Sequence, residues 1–385
     1  MKLSTRNACA IGSVLLPLTM AASGAAQATP PPRAEVPGAA ASSLTCATAH
    51  GPFRVSGTEV VGAGGKVYIP YGITVPGLAN AAYQNYTALD DAKIRATATD
   101  WCANTVRLQV GQANLVGTSG SSYSSAFMSA IKAEVSLAES YQLVVVLNAQ
   151  TETVGNQPAP THATAAFWKD LAGVYGHDPQ VVFDAFNEPR VMTGGACGTA
   201  KDWQFWQKGG TYRGTSYLGM QALVTDVRDD GAANLLWVEG PCYAGTLGKA
   251  GSHLITGDPL VYAIHHPAGS APHTSAEWYG DFGFLINKKI APVVDGEWTN
   301  YASSTNSECW ADAPTAVPNY LNYLQSHGVG MTGYQLAKGL LIQSGNLDDP
   351  THIYTSGTNK WRCANGLDEG AGNQILNWYK RQNGG

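Results

Sequence analysis

The sequence is poor in charged residues. Only 13% of its 385 residues are charged, against about 25% in an average soluble domain, and the net charge is −5. The shortage of Lys and Arg excludes a basic surface for a phosphate backbone, so we expect no nucleic-acid partner. A coiled coil would also need far more Glu, Lys and Arg. Because 44% of the residues are hydrophobic, the chain can bury a large core, which excludes a disordered polypeptide.

Several short motifs are also missing. The seven cysteines form no Cys-x-x-Cys pair, which argues against structural zinc. No Gly-x-Ser-x-Gly elbow of a serine hydrolase is present, and no Gly-x-Gly-x-x-Gly turn follows the first predicted strand. His265, His266 and His273 lack a third ligand at a recognisable spacing. We therefore predict no metal site and no cofactor.

The first 28 residues are typical of a secretory signal peptide. Lys2 and Arg6 precede an apolar stretch that is interrupted by Pro17 and is too short to span a bilayer, and small residues lead to a cleavage point after Ala28. We predict an extracellular protein with no membrane anchor after cleavage. Residues 29–43 are rich in Pro and Ala and are interpreted as a tether, and residues 44–385 as one domain. The six remaining cysteines predict disulfides, with sequential pairing favoured among 15 possible arrangements.

Eight apolar, β-rich runs alternate with stretches of helical length. Strands are predicted over residues 66–72, 104–108, 143–148, 181–186, 234–238, 260–264, 292–295 and 329–334. Helices are predicted over residues 88–101, 124–140, 164–175, 217–229 and 316–326. Most of the strand runs are continuously apolar, as expected for parallel strands that are covered on both faces. Eight strand-and-helix units predict an α/β fold with a closed (β/α)₈ barrel, and an open doubly wound sheet is the alternative.

Two predicted strands run directly into a glutamate. Asn187, Glu188 and Pro189 follow the fourth strand, and Glu297 follows the seventh. The carboxyl ends of barrel strands meet at one face, so we expect both carboxylates at the same mouth. Hydrolysis of a glycosidic bond needs two carboxyl groups, one to protonate the leaving oxygen and one to act from the opposite face of the sugar. The pair therefore favours a glycosidase.

The same two segments resemble glycoside hydrolase family 5, a large family that contains many cellulases and mannanases. The run from Val182 to Pro189 is similar to its Asn-Glu-Pro motif, and the run from Pro292 to Trp298 is similar to its second glutamate strand. The resemblance extends over about residues 65–340 in consistent order. It implies a retaining mechanism in which Glu188 is the general acid/base and Glu297 the nucleophile, with their carboxyl groups about 5–5.5 Å apart.

The resemblance also implies residues that bind the substrate. Asn187 would hydrogen bond to the 2-hydroxyl of the sugar. Arg107 ends the second strand, as in the family, and its cation would keep Glu297 ionised. The alternative role of Arg107 is a structural ion pair with Asp184 or Asp295.

The sixth strand ends in two histidines, and the chain departs from the family nearby. His265 matches the family's histidine beside the acid/base, and His266 is the alternative because only one of two strand neighbours faces inward. The usual histidine after the third strand is replaced by residues 147–150. Pro267 stands where an aromatic residue is common, and Tyr334 replaces the tryptophan of the eighth strand. These departures suggest a divergent subgroup.

Aromatic side chains near the strand ends are candidates for sugar binding, because pyranose rings pack on flat aromatic surfaces. Trp298 and Tyr334 are the best candidates. Trp203 and Trp206 are further ones, with core packing as the alternative. Glu239 follows the fifth strand, where it is a candidate for substrate contact or for a competing catalytic role.

These observations predict a secreted, retaining β-glycosidase, most simply an endo-β-1,4-glucanase. A β-mannanase, or an exo-acting or disaccharide-releasing enzyme of the same family, is the first alternative. A carbohydrate-binding barrel without turnover is the alternative from another class. The expected partner is an oligo- or polysaccharide, and we expect a monomer.

Overall fold

The computed structural model describes residues 46–79, 90–151, 157–191, 193, 197–266, 273–300, 310, 312–353 and 370–384. The predicted signal peptide and tether lie outside these ranges and stay predictions. The strands are β1 (Arg54–Ser56), β2 (Glu59–Val61), β3 (Tyr71–Val75), β4 (Thr105–Gly111), β5 (Val144–Gln150), β6 (Val181–Asp184), β7 (Gly209–Tyr212), β8 (Thr215–Leu218), β9 (Leu236–Glu239), β10 (Leu260–Ile264), β11 (Val293–Trp298) and β12 (Gly330–Gly333). The helices are α1 (Asp91–Thr99), α2 (Gln112–Val116), α3 (Ser125–Ser140), α4 (His162–Tyr175), α5 (Ala200–Lys208), α6 (Met220–Asp229), α7 (Ser275–Trp278), α8 (Phe284–Asn287), α9 (Ala313–Ser326) and α10 (Gly372–Asn383), with a π-helical turn over Tyr279–Gly283.

Eight of the strands form a closed barrel in the order β3-β4-β5-β6-β9-β10-β11-β12, and every neighbouring pair is parallel. The predicted (β/α)₈ barrel is therefore confirmed, and the alternative of an open sheet is wrong. The first barrel strand begins at Tyr71, later than the predicted residues 66–72, because Val67 and Tyr68 pair with β2 instead of with the barrel. None of the described helices is long and apolar enough to cross a membrane.

Side chains alternate between the barrel interior and the helix layer. On β5, Val144 and Val146 belong to the inner apolar cluster, whereas Val145 and Leu147 belong to the outer cluster against the helices. On β4, Val106 and Leu108 belong to that outer cluster, so the alternation turns Arg107 and the residues two positions away from it inward. Strand periodicity thus decides which polar side chains enter the barrel.

An N-terminal hairpin that the sequence pattern does not predict contributes to the inner apolar cluster. β1 and β2 pair in antiparallel fashion, and Phe53, Val60 and Tyr68 join inward-facing residues of the barrel strands such as Val182 and Trp237. The Phe53 and Tyr68 rings stack with their centroids 4.5 Å apart. These contacts lie near the amino ends of the barrel strands, away from the carboxyl ends.

Two disulfides join loops around the barrel. Cys46 bonds to Cys102 and Cys197 bonds to Cys242, in agreement with sequential pairing. The third predicted pair, Cys309 with Cys363, lies outside the described residues.

We expect Phe53→Ala to lower the free energy of unfolding by about 3–5 kcal/mol, because the residue is buried and its loss leaves a cavity beneath the barrel. Equilibrium unfolding in urea measures the change. Val67→Ala, at a residue that is 51% exposed in the same segment, is the control and should stay within about 0.5 kcal/mol of wild type. A loss below about 1 kcal/mol for Phe53→Ala would show that the hairpin does not support the barrel.

Candidate active site

The carboxyl ends of five barrel strands bring their polar side chains together. Arg107 and Gln109 come from β4, Asp184 ends β6 and is followed by Asn187 and Glu188, Glu239 ends β9, His265 follows β10, and Glu297 lies in β11. All of these side chains face inward. Both glutamates that the sequence singled out are therefore at one mouth.

Arg107 lies at the centre of this group and is completely buried. Its Nε donates to Asp184 Oδ2 over 2.8 Å, and its Nη1 donates to Glu297 Oε2 over 2.6 Å. Its Nη2 donates both to Asn187 Oδ1 over 2.7 Å and to Glu239 Oε1 over 3.0 Å. A planar guanidinium is suited to this because its donors form a fixed fork. Arg107 thus pairs with Asp184, as one sequence alternative held, and also contacts Glu297.

One oxygen of Glu297 receives both hydrogen bonds that the described residues donate to this carboxylate. Oε2 accepts from Arg107 Nη1 and from Gln109 Nε2, the latter over 2.9 Å, so Oε1 is left for a bound molecule. Burial raises the pKa of Glu297 to about 7, and the positive charges of His265 and Arg107 act in the opposite direction. Its side chain is 14% exposed.

Glu188 faces Glu297 across the mouth. A carboxyl oxygen of each and a ring nitrogen of His265 lie within 4.8 Å of one another. The backbone of Glu188 is in the left-handed region with φ of 49°, and its N–H donates to Glu239 Oε2 over 2.5 Å. Its side chain is 23% exposed, so the carboxyl group reaches solvent while its backbone is fixed from below.

The two neighbouring histidines face opposite sides of β10. His265 points inward, where its Nδ1 lies 3.1 Å from Glu188 Oε1. His266 points into the helix layer, where its ring lies against Tyr320 and its Nε2 is 3.5 Å from Asp281 Oδ2. The alternation of the strand therefore selects His265, and the alternative of His266 is wrong.

A register shift in β11 aims Glu297 into the barrel. Val294 faces inward and Asp295 faces outward, where Tyr320 donates to its carboxylate over 2.6 Å. Regular alternation would turn residue 297 outward, but the pairing of β11 with β12 shifts between Asp295 and Trp298. Gly296 also faces inward, since a Cβ there would lie 3.1 Å from the His265 ring. Two successive inward residues therefore precede Trp298.

The same shift buries Trp298 in the helix layer. Its ring is 2% exposed and packs on Trp310 and Tyr320, so it has no open face for a sugar, contrary to the sequence-based expectation. Trp203 and Trp206 on α5 are also buried, and core packing accounts for them.

Tyr334 remains at the mouth. It follows β12 and is half-buried, and its backbone N–H donates to Trp298 O over 3.0 Å. Its position next to the end of β11 keeps it as a candidate for contact with a ligand.

Three inward-facing polar residues were not singled out as site residues from the sequence. Gln109 lies two positions after Arg107, and Asn148 and Gln150 continue the inward series of β5. Both amide atoms of Asn148 are buried without a hydrogen-bond partner among the described residues. Such atoms are costly unless a ligand or water satisfies them. Every second residue of a strand faces the same side, so counting in steps of two from Arg107 on β4 and from Val146 on β5 identifies all three as inward-facing.

Two groups of three side chains among the described residues have donor atoms within 4.8 Å of one another, as a metal site requires. They are Glu188, His265 and Glu297, and His266, Glu277 and Asp281. In the first group, Arg107 already supplies positive charge to Glu297, and in the second, His266 is placed as a partner of Asp281. Both groups are explained without a cation, and the absence of a metal and a cofactor stays a prediction.

Two curated relatives match part of the chain. An endoglucanase of Halalkalibacter akibai is 26% identical over 186 residues, which are 47% of this chain and 22% of the relative. Endoglucanase C of Evansella cellulosilytica is 22% identical over 269 residues, which are 63% of this chain and 31% of the relative. The chain therefore matches between about a fifth and a third of the length of these relatives.

Solved structures share the fold. A β-glucanase from Saccharophagus degradans superposes with a TM-score of 0.62 at 17% identity, over 82% of this chain and 94% of the other. The catalytic domain of endoglucanase Cel5A from Thermobifida fusca superposes with a TM-score of 0.58 at 15% identity, over 86% and 97% of the two chains.

The family itself is shown by a match over most of the chain. Residues 63–339 match the family described as cellulase, glycosyl hydrolase family 5. This range begins before the first barrel strand and ends after the last one, and it contains every inward-facing polar residue described above. The chain belongs to glycosyl hydrolase family 5.

Proposed function

We propose that the protein is a secreted, retaining β-glycosidase that cleaves β-1,4-linked glucan internally, with Glu188 as the general acid/base and Glu297 as the nucleophile. The observation that carries this proposal is the approach of the two carboxyl groups to within 4.8 Å. Retaining enzymes hold them about 5–5.5 Å apart, whereas inverting enzymes need about 6.5–9.5 Å to admit a water. Secretion rests on the leader, and the exported protein should begin at Thr29 on N-terminal sequencing.

In the first half of the reaction, Glu297 Oε1 attacks the anomeric carbon while Glu188 gives its proton to the departing glycosidic oxygen. Oε1 is the attacking atom because Arg107 and Gln109 both occupy Oε2. In the second half, Glu188 takes a proton from water, and the water oxygen replaces Glu297 at the anomeric carbon. Each displacement inverts the carbon, so the product retains its configuration.

Asn187 is oriented for a sugar hydroxyl by its contact with Arg107. Its Oδ1 accepts from Arg107 Nη2, which turns the amide Nδ2 away from the guanidinium and leaves its two N–H groups as donors. A hydrogen bond to the 2-hydroxyl that strengthens in the transition state would lower the barrier.

The names of the relatives favour a β-glucan as the substrate. Two are called endoglucanases, and one solved relative with this fold is described in complex with cellotetraose. A β-mannanase, or an exo-acting or disaccharide-releasing glycosidase, is the second candidate, because residues 147–150 and Tyr334 depart from the family pattern near the mouth. A carbohydrate-binding barrel without turnover is the third, and the presence of both glutamates with Arg107 argues against it.

Hydrolysis of a panel of soluble β-glucans, mannans and aryl β-glycosides tests the proposal. We expect cleavage of β-1,4-glucan and, by proton NMR, a first-formed product with the β configuration. Glu297→Ala and Glu188→Ala should lower kcat by at least about 10³-fold. An α-configured first product would contradict the role of Glu297, and binding without cleavage of any substrate would favour the third candidate.

We expect kcat/KM to follow a bell-shaped pH profile whose acidic limb lies near pH 7. Glu297 must be ionised to attack, and burial raises its pKa to about 7, so activity is lost as the pH falls through that value. An acidic limb near 4.5, the ordinary value for a glutamate, would contradict the buried environment of Glu297.

Substitutions of Gln109 should move that acidic limb upward. Gln109→Leu removes a hydrogen bond to the charged form of Glu297, so we expect a shift of about one pH unit, and Gln109→Glu should shift it further by adding a like charge. Gln325→Leu, on the exposed face of α9, is the matched control. If both Gln109 variants keep the wild-type limb, the residue does not stabilise the ionised nucleophile.

A further inference from the structure

Glu239 is a buried carboxylate that contacts the partners of both catalytic glutamates. It ends β9, and its side chain is fully buried. Its Oε1 accepts from Arg107 Nη2 over 3.0 Å and lies 3.2 Å from His265 Nε2. Its Oε2 accepts the backbone N–H of Glu188. The contact with His265 is close enough for an ion pair but lacks the geometry of a hydrogen bond. It is therefore an electrostatic contact.

These contacts exclude both roles that the sequence left open for this residue. Substrate contact requires an accessible atom, and the side chain of Glu239 has no exposed area. Proton donation requires the neutral form. Burial disfavours ionisation, but the charges of His265 and Arg107 outweigh it, so the pKa of Glu239 lies below its ordinary value.

The three contacts of Glu239 support two different groups, the nucleophile and the acid/base. On the nucleophile side, Arg107 lies between Glu239 and Glu297 and donates to both. On the acid/base side, His265 lies between Glu239 and Glu188. A buried carboxylate is expensive to desolvate unless it is paired, and here every partner touches a catalytic group.

The backbone contact with Glu188 adds a separate constraint. A non-glycine residue with φ of 49° adopts a conformation that L-residues disfavour, and the surroundings must hold it there. A hydrogen bond from an N–H group to an ionised carboxylate is stronger than one to a neutral acceptor. Glu239 therefore holds the backbone of Glu188 in place, and with it the position of the acid/base side chain.

We propose that Glu239 is a positioning residue for both halves of the reaction, holding Arg107 behind the nucleophile and both His265 and the Glu188 backbone behind the acid/base. This inference rests on the proposed function for the roles of the two glutamates. It also explains how the chain supports Glu188 and Glu297 despite its departures from the family pattern at neighbouring positions.

The charge state of His265 supplies a readout that does not depend on turnover. Burial disfavours the imidazolium, but Glu239 and Glu188 outweigh it, so the pKa of His265 lies well above its ordinary value. The carboxyl groups that interact electrostatically with this ring are Glu188, Glu239, Glu297 and Asp184 inside the barrel and Asp295 on the outward side of β11. Arg107 is bonded to the same oxygen of Glu239 that lies beside the ring. Because Glu239 contributes the largest favourable part, its neutralisation should allow His265 to lose its proton at lower pH.

The test compares Glu239→Gln with Glu134→Gln and Glu239→Asp. Glu134 is a similarly buried glutamate on α3, outside the site, and its substitution controls for replacing a buried glutamate side chain by an amide. Glu239→Asp keeps the charge and shortens the side chain by one methylene. Each variant is measured for thermal unfolding, for kcat and KM on a soluble β-glucan, and for the histidine ring signals by ¹⁵N NMR across a pH series.

We expect Glu239→Gln to fold, to keep KM within about threefold and to lose about 100-fold or more in kcat. Its His265 signal should titrate at least about one pH unit lower than in wild type. Glu134→Gln should keep the wild-type kcat and His265 titration. Glu239→Asp should keep His265 charged and recover part of kcat, and it decides the matter if Glu239→Gln does not fold.

A wild-type kcat in Glu239→Gln, or an unchanged His265 titration in that variant, would overturn the proposal. The same holds if Glu239→Asp neither keeps His265 charged nor exceeds Glu239→Gln in kcat. Failure of the proposed function is distinguishable, because it would appear as a wild-type protein that cleaves no glycan, while the His265 titration still reports on Glu239.

Discussion

The pairing of Arg107 with several acidic groups is the interaction on which the rest of the site depends. One buried guanidinium donates to Asp184, Asn187, Glu239 and Glu297, which come from three different strand ends. A buried guanidinium is tolerated only when acidic groups compensate its charge, and the buried carboxylates depend on the guanidinium in the same way. The barrel provides the rigid frame in which their separation stays fixed. Lysine is not equivalent here, because its three N–H donors radiate from a single nitrogen, whereas a guanidinium spreads five donors over three nitrogens in a fixed planar fork.

A local irregularity converts this framework into a reactive one. The register shift in β11 turns the Glu297 carboxylate into the mouth and sends the indole ring of Trp298 into the helix layer. Gly296 leaves room for the His265 ring at the same point. Bulges occur beside active sites because they re-aim one side chain without breaking the sheet. The separation of the two glutamates follows from this shift.

Much of the architecture and part of the site were predictable from the sequence. Continuous apolar runs such as 143–148 identify parallel strands, and Glu188 and Glu297 each follow such a run closely in the sequence. Gln109 and Glu239 were accessible through strand alternation, because they lie two positions after the inward-facing Arg107 and Trp237. The burial of Trp298 was not accessible, since it depends on a register shift between two strands that are brought together only by closure of the barrel. The N-terminal hairpin was hidden because its strands are only three residues long.

The proposed function depends most directly on a covalent bond between Glu297 and the sugar. Incubation with dinitrophenyl 2-deoxy-2-fluoro-β-cellobioside slows the second displacement, and peptide mapping by mass spectrometry then locates the label. The account predicts one glycosyl group on the peptide that contains Glu297, with no label in Glu297→Ala. A label on Glu239, or an active enzyme that releases product with the α configuration and accumulates no label, would contradict it.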